Sequence, residues 1–334
     1  MSGPEHLGCK WGVMLAVPLL SACLRAGEQS WQELPPMPEP NGGFMCGALT
    51  DTIIVVGGTN WAGGEKQWLR SVHRLDLASL RWSSLPPLTQ PLAYAVSDVD
   101  AKGLIIVGGT TGTAAFPGSV HVLGATVTEG QNFGLNRPAV FSAGARVGNE
   151  LIVVGGGGDA ANVQGLHRQA LAWNIQTGER RSLPDYPGPA HGSAAAVTVA
   201  GELFVFGGFR WDTQTSAVVN LTDAYAFSPQ TSQWRQLGAL PRAVRGHAAV
   251  ALDDRHIYLA GGYQGGSEGF VAQAFIYDLS ANSYAPATPL PYGAMVRLVR
   301  SGEYVYCLGG EDKLKHRTAS CYRIKAQELL RLRH

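Results

Sequence analysis

The sequence has little charge for its length and almost no excess of either sign. Of its 334 residues, 15% are Asp, Glu, Lys or Arg, and the formal net charge is +1. A chain this neutral has no basic field with which to hold a nucleic-acid backbone, and no run of like charge indicates an extended tail. We therefore expect no nucleic-acid partner.

Cysteine is scarce, with five in the chain. Cys9 and Cys23 lie near the N-terminus, which leaves the odd set of Cys46, Cys307 and Cys321, and this is not a disulfide framework. Cys307 and Cys321 fall on segments expected to be neighbouring strands, so either a bridge or two buried thiols is compatible with the sequence. His, Cys and carboxylate residues nowhere cluster with metal-ligand spacing, and we expect neither a metal nor an organic cofactor.

Long hydrophobic runs are also lacking, apart from one stretch near the N-terminus. Lys10 precedes an apolar segment, residues 11–20, that ends in Leu20-Ser21-Ala22-Cys23. This segment is too short for a stable membrane anchor, and small residues before a cysteine are typical of a bacterial lipoprotein signal. We predict an export signal over 1–23, lipidated at Cys23, a linker over 24–29 and a periplasmic, lipid-anchored protein. The alternatives are a cleaved signal that releases a soluble periplasmic or secreted protein, and a start that is not exported. A lipid anchor would be its one membrane contact.

Glycine, in contrast, is abundant, and its 43 residues come largely as spaced pairs. Six runs of β-branched or aromatic residues each end in a Gly pair, whose second members are residues 58, 109, 156, 208, 262 and 310. Such runs are strand sequences, and a period near 50 residues matches one four-stranded propeller blade. We predict an all-β, six-bladed Kelch-type β-propeller over 30–325, followed by a C-terminal tail over 326–334 that is either a short helix or frayed.

The two ends of this propeller complement each other. The sixth repeat has no convincing outer strand after Ser320, whereas the segment that begins at Trp31 reads as an outer strand without a repeat of its own. Insertion of this segment into the last blade would close the ring and remove an open edge.

Propeller topology places two sets of loops on one face, namely those after the Gly pairs and those after the Pro-rich blade exits. Polar residues collect in both sets, and with a single Glu near the axis they suit a polar, anionic, hydroxyl-rich ligand, since Arg can hold a carboxylate through two parallel hydrogen bonds. A phosphate site is disfavoured because no P-loop Lys-Ser/Thr follows a Gly pair. For each residue the alternative is a solvated loop or a backbone cap. The candidates are Asn41, Asn60, Tyr94, His191, Arg210, His247, Tyr292, Glu311 and Arg317.

Several local motifs resemble those of the N-acetylneuraminate epimerase (sialic acid mutarotase) family, in its cyclically permuted branch. They are Gly310-Glu311 followed by Arg317-Thr318, Pro289-Leu-Pro-Tyr292-Gly, Asn41-Gly-Gly-Phe, Gly57-Gly-Thr-Asn60-Trp, Ala93-Tyr94 and Gly246-His247. The resemblance implies that Glu311 and Arg317 are the catalytic pair and that the other candidates bind substrate. The sequence departs from the family pattern in the loop between Glu311 and Arg317, which lacks Pro-Gly, and in a short first loop.

The resemblance predicts a sugar isomerase that interconverts the anomers of N-acetylneuraminate, a small acidic sugar, by acid/base ring opening and closure. Glu311 would transfer the proton, and Arg317 would bind the substrate carboxylate or tune Glu311 through its charge. Two alternatives from other classes remain: a non-catalytic propeller that binds a glycan or a protein, and a different sugar isomerase or lyase. The sequence does not indicate an oligomeric state.

Overall fold

The computed structural model describes residues 1, 3, 31–130 and 137–331. The predicted export signal, the linker and Cys23 lie outside the described residues, so signal, lipidation and location stay predictions. In the described ranges, no helix is both long and apolar enough to cross a bilayer.

Each repeat folds into one four-stranded antiparallel sheet, and six such sheets form the molecule. The short strand β1 (Gln32–Leu34) comes first. The first three blades are built from β2 (Met45–Ala48), β3 (Thr52–Val56), β6 (Val72–Asp76) and β7 (Arg81–Leu85); β8 (Val96–Val99), β9 (Leu104–Val107), β10 (Ser119–Leu123) and β11 (Thr126–Gly130); and β12 (Ala143–Val147), β13 (Glu150–Val154), β14 (Ala170–Asn174) and β15 (Arg180–Leu183). The last three are built from β16 (Ala195–Val199), β17 (Glu202–Phe206), β20 (Ala224–Ser228) and β21 (Gln233–Gln236); β22 (Ala248–Ala251), β23 (His256–Ala260), β26 (Ala274–Asp278) and β27 (Ser283–Pro286); and β28 (Met295–Ser301), β29 (Tyr304–Lys313), β30 (His316–Lys325) and β1.

The first strands of the blades contact one another in a closed ring, in the order β2, β8, β12, β16, β22, β28 and back to β2. This ring confirms the predicted six-bladed propeller. Apolar cores fill the spaces between neighbouring blades, and the strand before each Gly pair is buried because it contributes to the cores on both of its faces. Each square ångström of apolar surface removed from water there contributes about 25 cal/mol.

The predicted closure by the N-terminal segment is also confirmed. Strand β1 pairs with β30, with Leu34 opposite Cys321, and the indole of Trp31 donates a hydrogen bond to the Pro289 carbonyl at 2.8 Å. Cys307 and Cys321 lie on the adjacent strands β29 and β30, and both are buried free thiols, as is Cys46. The chain then enters a short helix, α1 (Ala326–Leu329), at the start of the predicted tail.

Hairpins and loops that follow the Gly pairs rise on one face of the ring. They comprise β4 (Thr59–Ala62) with β5 (Glu65–Trp68), β18 (Phe209–Asp212) with β19 (Ala217–Asn220), β24 (Tyr263–Gly265) with β25 (Gly269–Phe270), and, in the third blade, a loop with one 3-10 turn (Val163–Gly165). In the sixth blade the corresponding projection is the tip of the β29–β30 hairpin itself, since these two strands have 10 residues each.

A collar of backbone hydrogen bonds surrounds the axis on this same face. Five residues form it, Gly43, Tyr94, Phe141, Ser193 and Gly246, and the amide of each of the last four donates to the carbonyl of the one before it at 2.8–3.1 Å. All five have left-handed φ angles, between 50° and 67°. Such angles disfavour residues with a Cβ by roughly 1–2 kcal/mol, so three of the five positions are strained. The sixth blade instead has a register irregularity in β28 between Met295 and Arg297.

Candidate functional site

A cavity of about 370 Å³ lies on the loop face, above the collar, and residues from all six blades line it. This volume is within the range of pockets that hold small ligands, roughly 300–1,000 Å³. A second recess, of about 400 Å³, lies against the outer strands of the third blade and gathers residues of that blade and its flanking loops. The axial cavity is the better candidate because it brings together side chains from separate repeats.

One wall of the cavity carries its charge. Glu311 and Arg317 lie at the tip of the β29–β30 hairpin, and Arg317 Nη1 is 3.0 Å from Glu311 Oε1. The Arg317 side chain is 4% exposed, whereas the Glu311 side chain is 24% exposed. The guanidinium therefore lies behind the carboxylate, and Glu311 presents its charge to the cavity. Both residues line the cavity, and Arg317 also donates to the His316 carbonyl.

The Asn41-Gly-Gly motif makes room for this wall. A methyl group on Gly42 would lie 2.4 Å from Cδ and 2.6 Å from Nε of Arg317, so any side chain there would displace the guanidinium. A methyl group on Gly43 would lie 2.3 Å from the ring of Tyr94. The two glycines thus permit the side chains of Arg317 and Tyr94, which line the cavity, to approach the backbone closely. The sequence alone did not show that these positions require glycine.

The opposite wall is aromatic. Tyr94 lies beside Phe141, with ring centroids 4.6 Å apart, and Phe141 lies beside Phe209, at 6.1 Å. Arg245 packs its guanidinium 4.5 Å from the ring of Tyr263 and donates to Asn220 at 2.9 Å. Burial lowers the pKa of Arg245, while Tyr263 and Glu311 oppose this. Apolar rings together with guanidinium groups suit a ligand with one apolar and one acidic part.

His247 also lines the cavity, as predicted. It is 6% exposed, and neither ring nitrogen has a hydrogen-bond partner among the described residues. Burial lowers the pKa of His247 to about 4. The imidazole is therefore neutral at neutral pH, and both of its nitrogens are buried, so a ligand contact stays a prediction.

Three other predicted residues do not line the cavity and support the backbone instead. Asn41 is buried and bonds the Gly57 carbonyl and the Thr59 amide. The Tyr292 hydroxyl donates to the carbonyl of Gly309, at 2.7 Å. His191 is fully buried against the ring of Tyr186, and burial lowers its pKa to about 4. The bonds of these side chains favour the backbone-support alternative for them, and a ligand contact stays a prediction.

The last two predicted residues lie on hairpins of the loop face but outside the cavity lining. Arg210 is in β18 and pairs with Asp212 at 2.9 Å, on a partly exposed surface. Asn60 is in β4, and its Oδ1 is buried without a hydrogen-bond partner in the described chain. Their proposed contacts with a ligand also stay predictions.

The candidates from the sequence did not include Arg245, Tyr263 or Arg297. All three line the cavity, together with the hydroxyl residues Ser142 and Ser193. Arg297 lies within a strand rather than in a loop, which is why a search of loops overlooked it. The detectable signal was an arginine at a position where the other repeats have an apolar residue.

The described residues contain no group of three or more His, Cys, Asp or Glu side chains arranged to hold a metal ion. The chemistry that the cavity can perform with its own groups is proton transfer at Glu311 and the binding of an anion by guanidinium groups.

Comparison with known proteins finds two family models that match parts of the chain. Residues 135–282 match the model of the N-acetylneuraminate epimerase family, and residues 42–89 match the Kelch motif. The first match covers the third and fourth blades and the first three strands of the fifth, including Arg245, His247 and Tyr263. Glu311 and Arg317 lie C-terminal to it, so their assignment depends on the local motif and on the geometry.

Individual relatives agree with this result over limited lengths. N-acetylneuraminate epimerase of Yersinia enterocolitica is 32% identical over 125 residues, which are 36% of this chain and 30% of that protein. The Yersinia pestis protein of the same name is 39% identical over 84 residues, 25% of this chain and 21% of that protein. A Kelch-like protein of Aspergillus terreus is 25% identical over 230 residues, 68% of this chain and 46% of that protein. The chain thus spans less than half the length of each of these relatives.

Proposed function

We propose that this propeller, whose central blades match N-acetylneuraminate epimerase, is a mutarotase that interconverts the anomers of N-acetylneuraminate or a close acidic analogue. The observation that carries the proposal is the Glu311–Arg317 pair, in which a partly exposed carboxylate faces the axial cavity and a buried guanidinium holds it at 3.0 Å. The proposed substrate comes from the names of the relatives, and the geometry supports Glu311 as a group that can transfer the proton.

The reaction itself needs no redox step and no leaving group. The sugar is a cyclic hemiketal, and its anomers exchange when the bond between the anomeric carbon and the ring oxygen breaks and re-forms on the other face. Opening moves a proton from the anomeric hydroxyl to the ring oxygen, and closure reverses this, so the atoms balance without a co-reactant. Glu311 accepts the hydroxyl proton as a base and returns it as an acid, a role typically worth 10²–10⁴-fold in rate.

The remaining cavity residues position the sugar. Arg317 keeps the Glu311 carboxylate in place through an ion pair in which the guanidinium is buried and the carboxylate partly exposed. Removal of the carboxylate would leave the buried guanidinium without its counter-charge. A contact of His247 with a hydroxyl or the N-acetyl group stays a prediction, because both of its ring nitrogens are buried. The rings of Tyr94, Phe141 and Phe209 offer apolar surface to the C–H groups and the methyl group of the substrate.

The test is Glu311→Gln, which preserves size and removes the base. We expect the exchange between the anomers, followed by proton NMR, to fall to the buffer rate, a loss of roughly 10²–10⁴-fold. The matched control is Glu303→Gln in the same blade, where Glu303 is exposed and pairs with Lys325 at 3.1 Å. Wild-type exchange in Glu311→Gln would refute the assignment of Glu311. Binding of the sugar by the wild type without any acceleration of exchange would favour the non-catalytic propeller.

A further inference from the structure

Arg297 occupies a position that is apolar in every other blade. It pairs with Leu308, the residue directly before the Gly pair of the sixth repeat. The residues that pair at the same point in the other five blades are all buried, and they are Met45, Val96, Ala143, Ala195 and Ala248. A guanidinium between two blades costs free energy unless its charge has a partner.

The structure gives that charge an anchor but no counter-charge. Arg297 Nε donates to the Phe44 carbonyl of the first blade at 3.0 Å, which fixes the direction of the guanidinium. No Asp or Glu of the described chain forms an ion pair with Arg297. Its neighbour Cys46 does not supply one, because burial raises the pKa of that thiol to about 11. The two terminal nitrogens of Arg297, which lines the cavity, thus remain available to a ligand.

The other two arginines of the cavity already have partners. Arg317 is held by Glu311 and is almost fully buried. Arg245 donates to Asn220 and packs against the ring of Tyr263. Arg245 and Arg297 each donate one side-chain hydrogen bond, but of these three cations Arg297 alone has no bond at either terminal nitrogen among the described residues. It lies two residues along β28 from Met295, the partner of Glu311.

We infer that Arg297 is the residue that receives the carboxylate of the substrate, an inference that rests on the proposed function. In a 2-keto acid sugar the carboxylate and the anomeric hydroxyl are attached to one carbon, so the residue that binds the carboxylate must lie near the proton-transfer group. Arg297 binds the carboxylate through its two terminal nitrogens while Nε stays on Phe44. The site therefore selects ketoses with an acid group on the anomeric carbon, and Arg317 serves Glu311 alone.

The test compares two ligands that differ only at the carboxylate: N-acetylneuraminate and its C1 amide. Arg297→Met places in the sixth blade the residue type of the first, and we expect the Kd for the acid, measured by saturation-transfer NMR, to rise roughly 10- to 100-fold. The Kd for the amide should change less than threefold on the same scale. In exchange assays the KM for the acid should rise more than kcat falls. Arg300→Met is the control, since Arg300 bonds only the carbonyls of Ala251, Leu252 and Gly302 and is outside the cavity lining.

The inference would be overturned if Arg297→Met bound both ligands more weakly by the same factor, or if it bound the acid with wild-type affinity. If circular dichroism shows that Arg297→Met does not fold, the same comparison is made with Arg297→Lys. Lysine keeps the positive charge but cannot form two parallel hydrogen bonds to a carboxylate. Affinity for the acid alone should then fall, and an unchanged ratio of acid to amide affinity would again overturn the inference. If the wild type binds the acid but does not accelerate exchange, the mutarotase proposal is contradicted. The preference for the acid over the amide, and its dependence on Arg297, can still be measured in that case.

Discussion

The first five blades and the sixth are built from the same repeat, but they differ where the cavity is. In the first five, a left-handed residue joins the backbone collar, and an apolar residue follows at the blade interface. In the sixth, β28 and β29 continue beyond the point where the other strands end, β28 is irregular, and the strands place Arg297 and Glu311 at the cavity. The five regular blades thus form the framework of the cavity, and the irregular sixth blade contributes Arg297 and Glu311.

The difference extends to how polar groups are buried. The fourth and fifth blades bury His191 and His247 as neutral rings, with Nε2 of His191 and both nitrogens of His247 lacking a partner among the described residues, whereas the sixth buries Arg317 as half of an ion pair. These arrangements should respond differently to pH and to substitution, and three experiments follow, from the largest expected effect to the smallest.

Acid should weaken the histidine-containing blades first. Burial lowers the pKa of both His191 and His247 from 6.5 to about 4, so the fold favours their neutral form. Their contribution to the free energy of unfolding is full above pH 6.5 and is lost as the pH falls towards 4, at roughly 3 kcal/mol for each ring. In urea unfolding monitored by fluorescence, His191→Asn should lose less stability than the wild type between pH 7 and pH 4. Parallel pH curves for the two proteins would show that His191 does not carry this effect.

Gly42→Ala should disturb the sixth blade without a change in any of its own residues. The added methyl group would lie 2.4 Å from Cδ of Arg317, so the guanidinium has to move away from Glu311. We expect kcat for anomer exchange to fall roughly 10- to 100-fold, as small misplacements of a catalytic group do. Gly165→Ala is the matched control because nothing lies within 4 Å of its added methyl group. Equal activity of the two variants would mean that Glu311 does not depend on the position of Arg317.

Replacement by glycine at the collar position should have opposite effects on the free energy of unfolding in the fourth and sixth blades. Ser193 has a φ of 50°, so Ser193→Gly should relieve strain and raise the free energy of unfolding by up to about 1 kcal/mol. Met295 is at the corresponding point of the sixth blade but within strand β28, where glycine loses packing and order, and Met295→Gly should cost about 1–2 kcal/mol. Denaturation midpoints in urea measure both. A loss of stability in both variants would contradict the strain attributed to the collar.

Much of this arrangement follows from the sequence. The six strand runs with their Gly pairs are local patterns, since β-branched residues favour strands and glycine ends them, and they sufficed to predict the blade number and the closing strand at Trp31. The pair of Glu311 and Arg317 lies within one hairpin, so its members are neighbours in the chain as well as in space. Tyr94 and His247 were found because they follow blade exits.

Only the tertiary structure decided which of the other polar residues face the cavity. Asn41, His191 and Tyr292 occupy the same kind of sequence position as Tyr94, yet Asn41 and Tyr292 donate to backbone carbonyls and His191 packs against the buried ring of Tyr186. Arg297 entered the site for the converse reason: it is part of a strand, and only closure of the ring brings the sixth blade beside Phe44 of the first. Local preferences determine strands and turns, whereas the direction of a side chain at a blade interface depends on residues some 250 positions away in the chain.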